Sequence, residues 1–108
     1  MEIGSQSNKP IMIDGWADWC AACKKMDNST FRNQKVIAKL HSDWVAAKFD
    51  FTQLTDENEK LAEKYGMPGL PTLILLPPNG DISKAKKLTG YISATRLYKE
   101  LKDFKASL

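Results

Sequence analysis

The chain has 108 residues, of which 43% are hydrophobic and 27% are charged, with a net charge of +3. That length fits one globular domain, since it is enough for a single core and too short for two. The lysine clusters lack interleaved aromatic residues, so we expect no nucleic-acid partner. No stretch approaches the roughly 18 apolar residues of a membrane span, so we also expect no direct insertion into a membrane.

The first nine residues are polar and show no periodic pattern. We expect residues 1–9 to be a flexible arm, a linker remnant or a cloning scar, and residues 10–108 to form the domain. The N-terminal sequence lacks the basic and apolar regions of a signal peptide. We therefore expect either a cytosolic protein or a portion of an exported one.

Strand and helix patterns alternate along the first half of the chain. Residues 10–16 contain an apolar run that predicts a buried strand, and Asp14 interrupts its apolar face. Residues 21–28 predict a helix, and residues 34–41 continue the helical pattern after a polar break. Three residues of this continuation are predicted to face inward: Val36, Ile37 and Leu40.

The second half alternates in the same way. Residues 44–51 predict a second strand, and residues 55–66 predict a helix capped by Thr and ended by Gly. The apolar run at residues 72–76 predicts a central strand buried on both faces, and residues 86–89 predict its antiparallel partner. Ser93 caps the last helix. The apolar residues of that helix lie on one predicted stripe: Leu97, Leu101, Phe104 and Leu108.

Both cysteines of the chain, Cys20 and Cys23, lie where the first strand gives way to the first helix. Residues three apart share a helix face, so the two thiols can form a disulfide. The unpaired N–H groups and partial positive charge at a helix N-terminus stabilise a thiolate, the attacking species in thiol–disulfide exchange. The motif predicts Cys20 as the nucleophile and Cys23 as the resolving thiol.

Two other interpretations of the cysteine pair remain open. In the first, the cysteines supply two of the four ligands of a tetrahedral zinc site, but the chain's single histidine, His41, is far from them in sequence. A static structural disulfide is the other possibility, although a loop this short gains little stability from closure. We favour redox chemistry and expect no metal and no cofactor beyond the cysteine pair itself.

The predicted order, β-α-β-α-β-β-α with the two cysteines at the first strand-to-helix junction, resembles the thioredoxin fold, an α/β fold with a mixed central sheet flanked by helices. Residues 67–72 (Met-Pro-Gly-Leu-Pro-Thr) precede the central strand at the place of the family's cis-proline loop. The resemblance implies a cis bond before Pro71, which lies against the dithiol. It also implies that the backbone of Leu70 pairs with an incoming extended peptide.

A narrower resemblance covers residues 9–104. The segment Lys-Pro-Ile-Met-Ile-Asp-Gly-Trp-Ala-Asp-Trp-Cys-Ala-Ala-Cys-Lys at 9–24 is similar to the C-terminal periplasmic domains of the DsbD family, the transmembrane thiol–disulfide interchange proteins. The likeness continues at residues 30–31, 69–72 and 88–91. The Ala-Ala pair between the cysteines is closer to that family than the Gly-Pro of ordinary thioredoxins.

This resemblance implies an electron relay. The membrane-embedded part of a DsbD-type polypeptide would reduce the domain's disulfide, and the domain would then reduce the N-terminal periplasmic domain. It implies a protein-disulfide reductase that is a monomer, in the periplasm as a domain of an inner-membrane protein. A free-standing thioredoxin-like reductase in the cytoplasm is the alternative, and a non-catalytic binding module is a further one.

The resemblance also assigns roles to two acids. Asp14 occupies the position of the family's buried acid beneath the dithiol, and Asp27 occupies that of a second acid, more often Glu. A buried carboxylate disfavours a nearby thiolate, and its protonated form is able to pass a proton to a thiol. We hypothesise that both acids keep Cys20 and Cys23 protonated until a partner docks. The alternatives are a buried polar group at Asp14 and a solvated acid at Asp27.

Several residues around the motif are candidates for partner binding. Trp19 directly precedes the nucleophile and is predicted to border the docking surface. The other predicted partner-binding residues are Ala21, Ala22, Leu70 and Pro71. Trp16 is either a core residue or part of that surface, and Met26 and Met67 either flank the site or fill gaps in the core.

Overall fold

The computed structural model describes residues 8–108, so the predicted arm at residues 1–9 falls almost entirely outside the described part. The strands are β1 (Ile11–Trp16), β2 (Val45–Asp50), β3 (Thr72–Leu76) and β4 (Lys86–Thr89). The helices are α1 (Ala21–Asp27), α2 (Gln34–Asp43), α3 (Asp56–Tyr65) and α4 (Ala94–Ala106). Short 3₁₀ turns cover Thr30–Arg32 and Ile82–Lys84.

The strands form one mixed sheet in the order β2-β1-β3-β4. Strand β1 is parallel to β2 and antiparallel to β3, and β3 is antiparallel to β4. All five residues of β3 are buried, as the continuous apolar run at this strand predicts. The predicted thioredoxin-type α/β fold is confirmed, and its central strand β1 leads directly to the two cysteines.

Alternation along the strands divides the core between the two faces of the sheet. On one face, Met12 and Leu75 pack with residues of α2 and α4, among them Val36 and Leu101. On the other face, residues of β1 and β3 pack against α3 and the loop that follows it. The buried members of this second cluster are Ile11, Ile13, Phe51, Tyr65, Met67, Ile74 and Leu76.

Three predicted details of the fold are wrong. The helical pattern after Cys20 gives two helices rather than one, because the Asn33 side chain accepts hydrogen bonds from the backbone N–H groups of Lys35 and Val36 at 2.9 and 3.2 Å and so starts α2 afresh. Ile37 is 46% exposed, since the sheet covers the Val36 side of the helix. Leu108 is 57% exposed because α4 ends at Ala106, before the apolar stripe reaches it.

Candidate active site

Cys20 and Cys23 form a disulfide at the junction of β1 and α1. Cys20 is the N-cap of α1, with extended backbone angles, and its Sγ accepts a hydrogen bond from the backbone N–H of Cys23 at 3.2 Å. The backbone N–H of Cys20 donates to the carbonyl of Ala17 at 3.1 Å. Both cysteines are nearly buried, with exposed fractions of 6% and 4%. The structure therefore describes the oxidised state of a preorganised dithiol.

The electrostatic surroundings of Cys20 favour a thiolate once the disulfide is reduced. An N–H group that already points at Sγ makes a stronger hydrogen bond to a thiolate than to a thiol. The first turn of α1 contains no acidic residue, and Lys24 and Lys25 follow the second cysteine. The arrangement supports Cys20 as the attacking thiol in disulfide exchange.

Asp14 lies on β1 and is 5% exposed. Burial raises the pKa of the Asp14 carboxyl from 3.8 to about 6, because the charged form loses its hydration. The positive charge of Lys48 opposes this rise in pKa, and the negative charge of Asp27 adds to it. A carboxyl group with a pKa near neutrality exchanges protons readily at physiological pH, as the proposed proton-transfer role requires.

Asp27, the last residue of α1, is partly exposed, and its carboxylate lies 3.9 Å from the ammonium of Lys48. Asp14, Asp27 and Lys48 all line one groove of about 460 Å³, here called the carboxylate groove. The structure thus brings together the two acids that the resemblance singled out. The solvated-acid interpretation of Asp27 keeps some support, since its side chain is 43% exposed.

Lys48 is a residue of this group that the sequence interpretation missed. It pairs with Asp14 across the parallel β1–β2 ladder, and its ammonium lies 5.3 Å from the centroid of the Trp16 ring. The signal in the sequence was a basic residue inside a predicted strand, but only the register of that strand places it opposite Asp14. Lys48 is therefore the cation that offsets the two carboxylates.

The predicted partner-binding residues differ in exposure, and Pro71 is buried. Trp19 is 62% exposed, and its indole N–H donates to the carbonyl of Thr52 at 3.1 Å. Leu70 is partly buried and packs against the cluster of Ala17 and the two cysteines. The peptide bond from Leu70 to Pro71 is cis, which confirms that prediction. Ala21 is exposed and Ala22 partly so, in the first turn of α1.

The residues left open by the sequence also have definite positions. Trp16 is partly buried and packs against the dithiol cluster, so it belongs to the wall of the site. Met26 is 1% exposed in the core on the side of α2 and α4. Met67 belongs to the core on the other face, and a Cβ atom at Gly15 would lie 2.8 Å from its sulfur. Met26 fills the core, whereas Met67 belongs to the core and also lines a groove together with Trp19 and Leu70.

Within residues 8–108, no three His, Cys, Asp or Glu side chains gather in a way that would hold a metal ion. In the same range, no helix is both long and apolar enough to cross a membrane. The zinc-site interpretation therefore has no ligand set in the described part of the chain. What that part does hold is a redox-competent disulfide, Cys20–Cys23.

Comparison with known proteins supports the resemblance to DsbD. The chain is 31% identical over 101 residues to the thiol:disulfide interchange protein DsbD of Yersinia pestis, and 30% identical over 95 residues to that of Actinobacillus pleuropneumoniae. These matches cover 94% and 88% of this chain. The chain spans only 17% and 16% of the length of these curated relatives.

Solved structures agree on the fold. The C-terminal domain of Neisseria meningitidis DsbD in the oxidised form superposes with a TM-score of 0.77 at 23% identity, over 94% of this chain and 90% of that one. A thioredoxin from Thermus thermophilus gives a TM-score of 0.78 at 24% identity, over 94% of this chain and 78% of that one. A family model described as a thioredoxin-like domain matches residues 1–105. The chain therefore belongs to the thioredoxin-like domain family.

Proposed function

We propose that this chain is a thiol–disulfide oxidoreductase domain that relays electrons. It accepts them from a membrane-embedded dithiol and uses them to reduce the disulfide of a periplasmic partner domain. The observation that carries the proposal is the Cys20–Cys23 disulfide at the start of α1, with a backbone N–H directed at the Sγ of Cys20. The similarity to DsbD proteins over 94% of the chain supports the direction of electron flow.

The exchange proceeds in two displacements. The Cys20 thiolate attacks one sulfur of the partner's disulfide, which forms a mixed disulfide and releases the other partner sulfur as a thiolate. Cys23 then attacks Cys20 Sγ, so that the Cys20–Cys23 disulfide forms and the partner leaves as a dithiol. Two electrons and two protons pass to the partner in total. A second dithiol, that of the membrane-embedded donor, restores the reduced domain by the reverse sequence.

Asp14 and Asp27 have a supporting role in this proposal. Neutral Asp14 donates a proton and its carboxylate accepts one, and the pKa of about 6 makes both forms available near neutral pH. In its charged form it disfavours thiolates at Cys20 and Cys23, which limits exchange with unintended disulfides. Lys48 lowers the pKa of Asp14 and so favours its charged form, while the positive charge of Lys48 partly offsets the field of that carboxylate at the thiols.

The domain is proposed to comprise residues 10–108, to be a monomer, and to lie in the periplasm as part of an inner-membrane protein. Its partners are the membrane-embedded and N-terminal domains of one DsbD-type polypeptide. The partner's extended backbone would pair beside Leu70 and Pro71, while Trp19, Ala21 and Ala22 border the contact. The exposed Trp19 ring next to the dithiol favours this arrangement.

A trapping experiment tests the proposal. Cys23→Ala prevents the second displacement, so partners stay linked to Cys20 and are identified after expression in the host envelope and, separately, in the cytosol. We expect a polytopic membrane protein or its N-terminal periplasmic domain. Capture of many unrelated cytosolic enzymes would instead indicate a free-standing reductase. The matched control is the Cys20→Ala, Cys23→Ala double variant, which should capture nothing.

A further inference from the structure

An apolar groove of about 480 Å³ opens beside the dithiol. Trp19 and Leu70 line it, and Leu70 also packs against the two cysteines, so one wall of the groove adjoins the dithiol. It continues along the loop after β2 to the first turn of α3, where Leu54, Asp56 and Glu59 line it. We call this surface the Trp19 groove.

Two large apolar side chains of the Trp19 groove are unusually exposed. Leu54 is 96% exposed and Trp19 is 62% exposed, the two largest values among the large hydrophobic residues of the described part. An exposed leucine of this kind gains free energy when a partner covers it. Leu54 and Trp19 line the same groove, so one partner side chain is able to contact both.

The loop that presents Leu54 is held in place by hydrogen bonds. The backbone N–H of Asp18 donates to the Thr52 hydroxyl at 2.8 Å, and the Trp19 indole N–H donates to the Thr52 carbonyl at 3.1 Å. The Asn58 amide donates to the carbonyl of Gln53 at 2.8 Å. A surface fixed in this way loses little conformational entropy on binding, which favours recognition.

The charge of the groove is one-sided. Among its described lining residues, Asp56 and Glu59 are acidic and none is basic, although the chain as a whole has a net charge of +3. Lys24 and Lys25 lie on α1, outside this lining. A cation beside an apolar side chain is therefore the complementary chemistry for this groove.

We propose that the Trp19 groove selects partner segments in which a large apolar residue adjoins a lysine or arginine close to the reactive cysteine. The apolar side chain lies between Trp19 and Leu54, and the cation pairs with Asp56 and Glu59. The inference rests on the proposed function, because it specifies the protein disulfides that Cys20 attacks. The proposed occupant is a segment of a different protein. Binding of a second copy of this chain is the competing outcome, and the test below distinguishes the two.

The test uses disulfide-linked peptide pairs with a fluorophore on one half and a quencher on the other. Four peptides carry Leu-Lys, Leu-Glu, Ser-Lys or Ser-Glu next to the cysteine. One series of four places this pair before the cysteine, and a second series places it after the cysteine. The fully reduced domain reacts with each under single-turnover conditions at low salt. In one of the two series, we expect Leu-Lys to react about tenfold faster than Leu-Glu or Ser-Lys. The overall positive charge would give the opposite order for Lys and Glu.

Charge reversal in the groove sharpens the test. In the Asp56→Lys, Glu59→Lys variant we expect the preference for Lys over Glu to reverse. The control, Glu57→Lys with Glu63→Lys, changes the net charge equally at exposed positions of α3 outside the lining and should keep the wild-type order. If the reversed variant folds poorly, Asp56→Asn with Glu59→Gln should abolish the preference. Leu54→Ser should reduce the preference for Leu, and Leu108→Ser, also exposed, should not.

The outcomes separate this inference from the proposed function. Rates within twofold for all four peptides, with reaction still dependent on Cys20, would overturn the groove's selectivity and leave the oxidoreductase function intact. An equal effect of the control variants would also overturn it, as would sedimentation showing a dimer that Leu54→Ser dissociates. The proposed function itself would be contradicted if the reduced domain reduced neither the peptide disulfides nor a low-molecular-weight aromatic disulfide.

Discussion

The carboxylate groove, of about 460 Å³, and the Trp19 groove, of about 480 Å³, have similar volumes but different linings. The carboxylate groove contains Asp14, which is 5% exposed, whereas the Trp19 groove contains Leu54, which is 96% exposed. The first sequesters a titratable group from water, and the second offers apolar surface to it. This difference matches the two roles that we propose, adjustment of thiol protonation for the carboxylate groove and selection of the partner for the Trp19 groove.

The roles proposed for both grooves require a reactive dithiol. Cys20→Ala should lower the rate of disulfide reduction by about three orders of magnitude or more, because the attacking thiolate is lost. Reduction of insulin with a chemical reductant measures this. Cys23→Ala is the matched control, since it should retain the first displacement and accumulate mixed disulfide. Mixed disulfide that accumulates with Cys20→Ala and not with Cys23→Ala would contradict the assignment of Cys20 as nucleophile.

Removal of the buried charge should affect stability strongly. The pKa of Asp14 is about 6 in the folded protein and ordinarily 3.8, so the folded state binds the proton more tightly than the unfolded state. The contribution of Asp14 to stability is therefore most favourable below pH 3.8 and is lost as the pH rises through 6. Asp14→Asn should remove this loss, which stabilises the oxidised protein at pH 8 by on the order of 3 kcal/mol.

Urea denaturation between pH 4 and pH 8 measures this effect, and Asp27→Asn is the matched control at a partly exposed acid. The same Asp14→Asn variant should lower the pKa of the Cys20 thiol. Above pH 6 the wild-type Asp14 is negatively charged and disfavours the thiolate, and the variant lacks this charge. An unchanged thiol pKa together with an unchanged exchange rate would contradict the role proposed for Asp14.

A substitution in the Trp19 groove should weaken partner docking and leave the stability of the domain nearly unchanged. Trp19→Ala should weaken productive docking by about tenfold in kcat/KM for the partner domain, because an aromatic contact beside the reacting sulfurs is lost. The pH dependence of its stability should match that of the wild type. A pH profile altered as much as in Asp14→Asn would show that the two grooves are not separate.

The smallest effect is expected at Lys48. Lys48→Met removes the charge that lowers the pKa of Asp14, so the pH range over which stability falls should move upward. Because Lys48 is largely exposed, water screens its charge and the displacement should be modest. Denaturation across the same pH range checks it, with Lys60→Met as a control at an exposed lysine of α3. A downward movement would contradict the proposed coupling.

Local signals determined much of this protein. The Cys20 cap of α1, the Thr55 and Ser93 caps and the left-handed Gly66 that ends α3 all follow from residues within a few positions of one another. The buried β3 follows from its unbroken apolar run. These features were predictable because their hydrogen bonds and burial depend on the immediate sequence.

The tertiary structure alone decided how distant segments meet. The β1–β2 register sets Lys48 opposite Asp14, and the hydrogen bonds of Thr52 place its loop beside Trp19. Neither arrangement has a local signature, because each depends on contacts between residues more than thirty positions apart in the chain. The sequence by itself therefore determined the dithiol and the elements that present it, while long-range pairing decided which charges and which apolar side chains surround it.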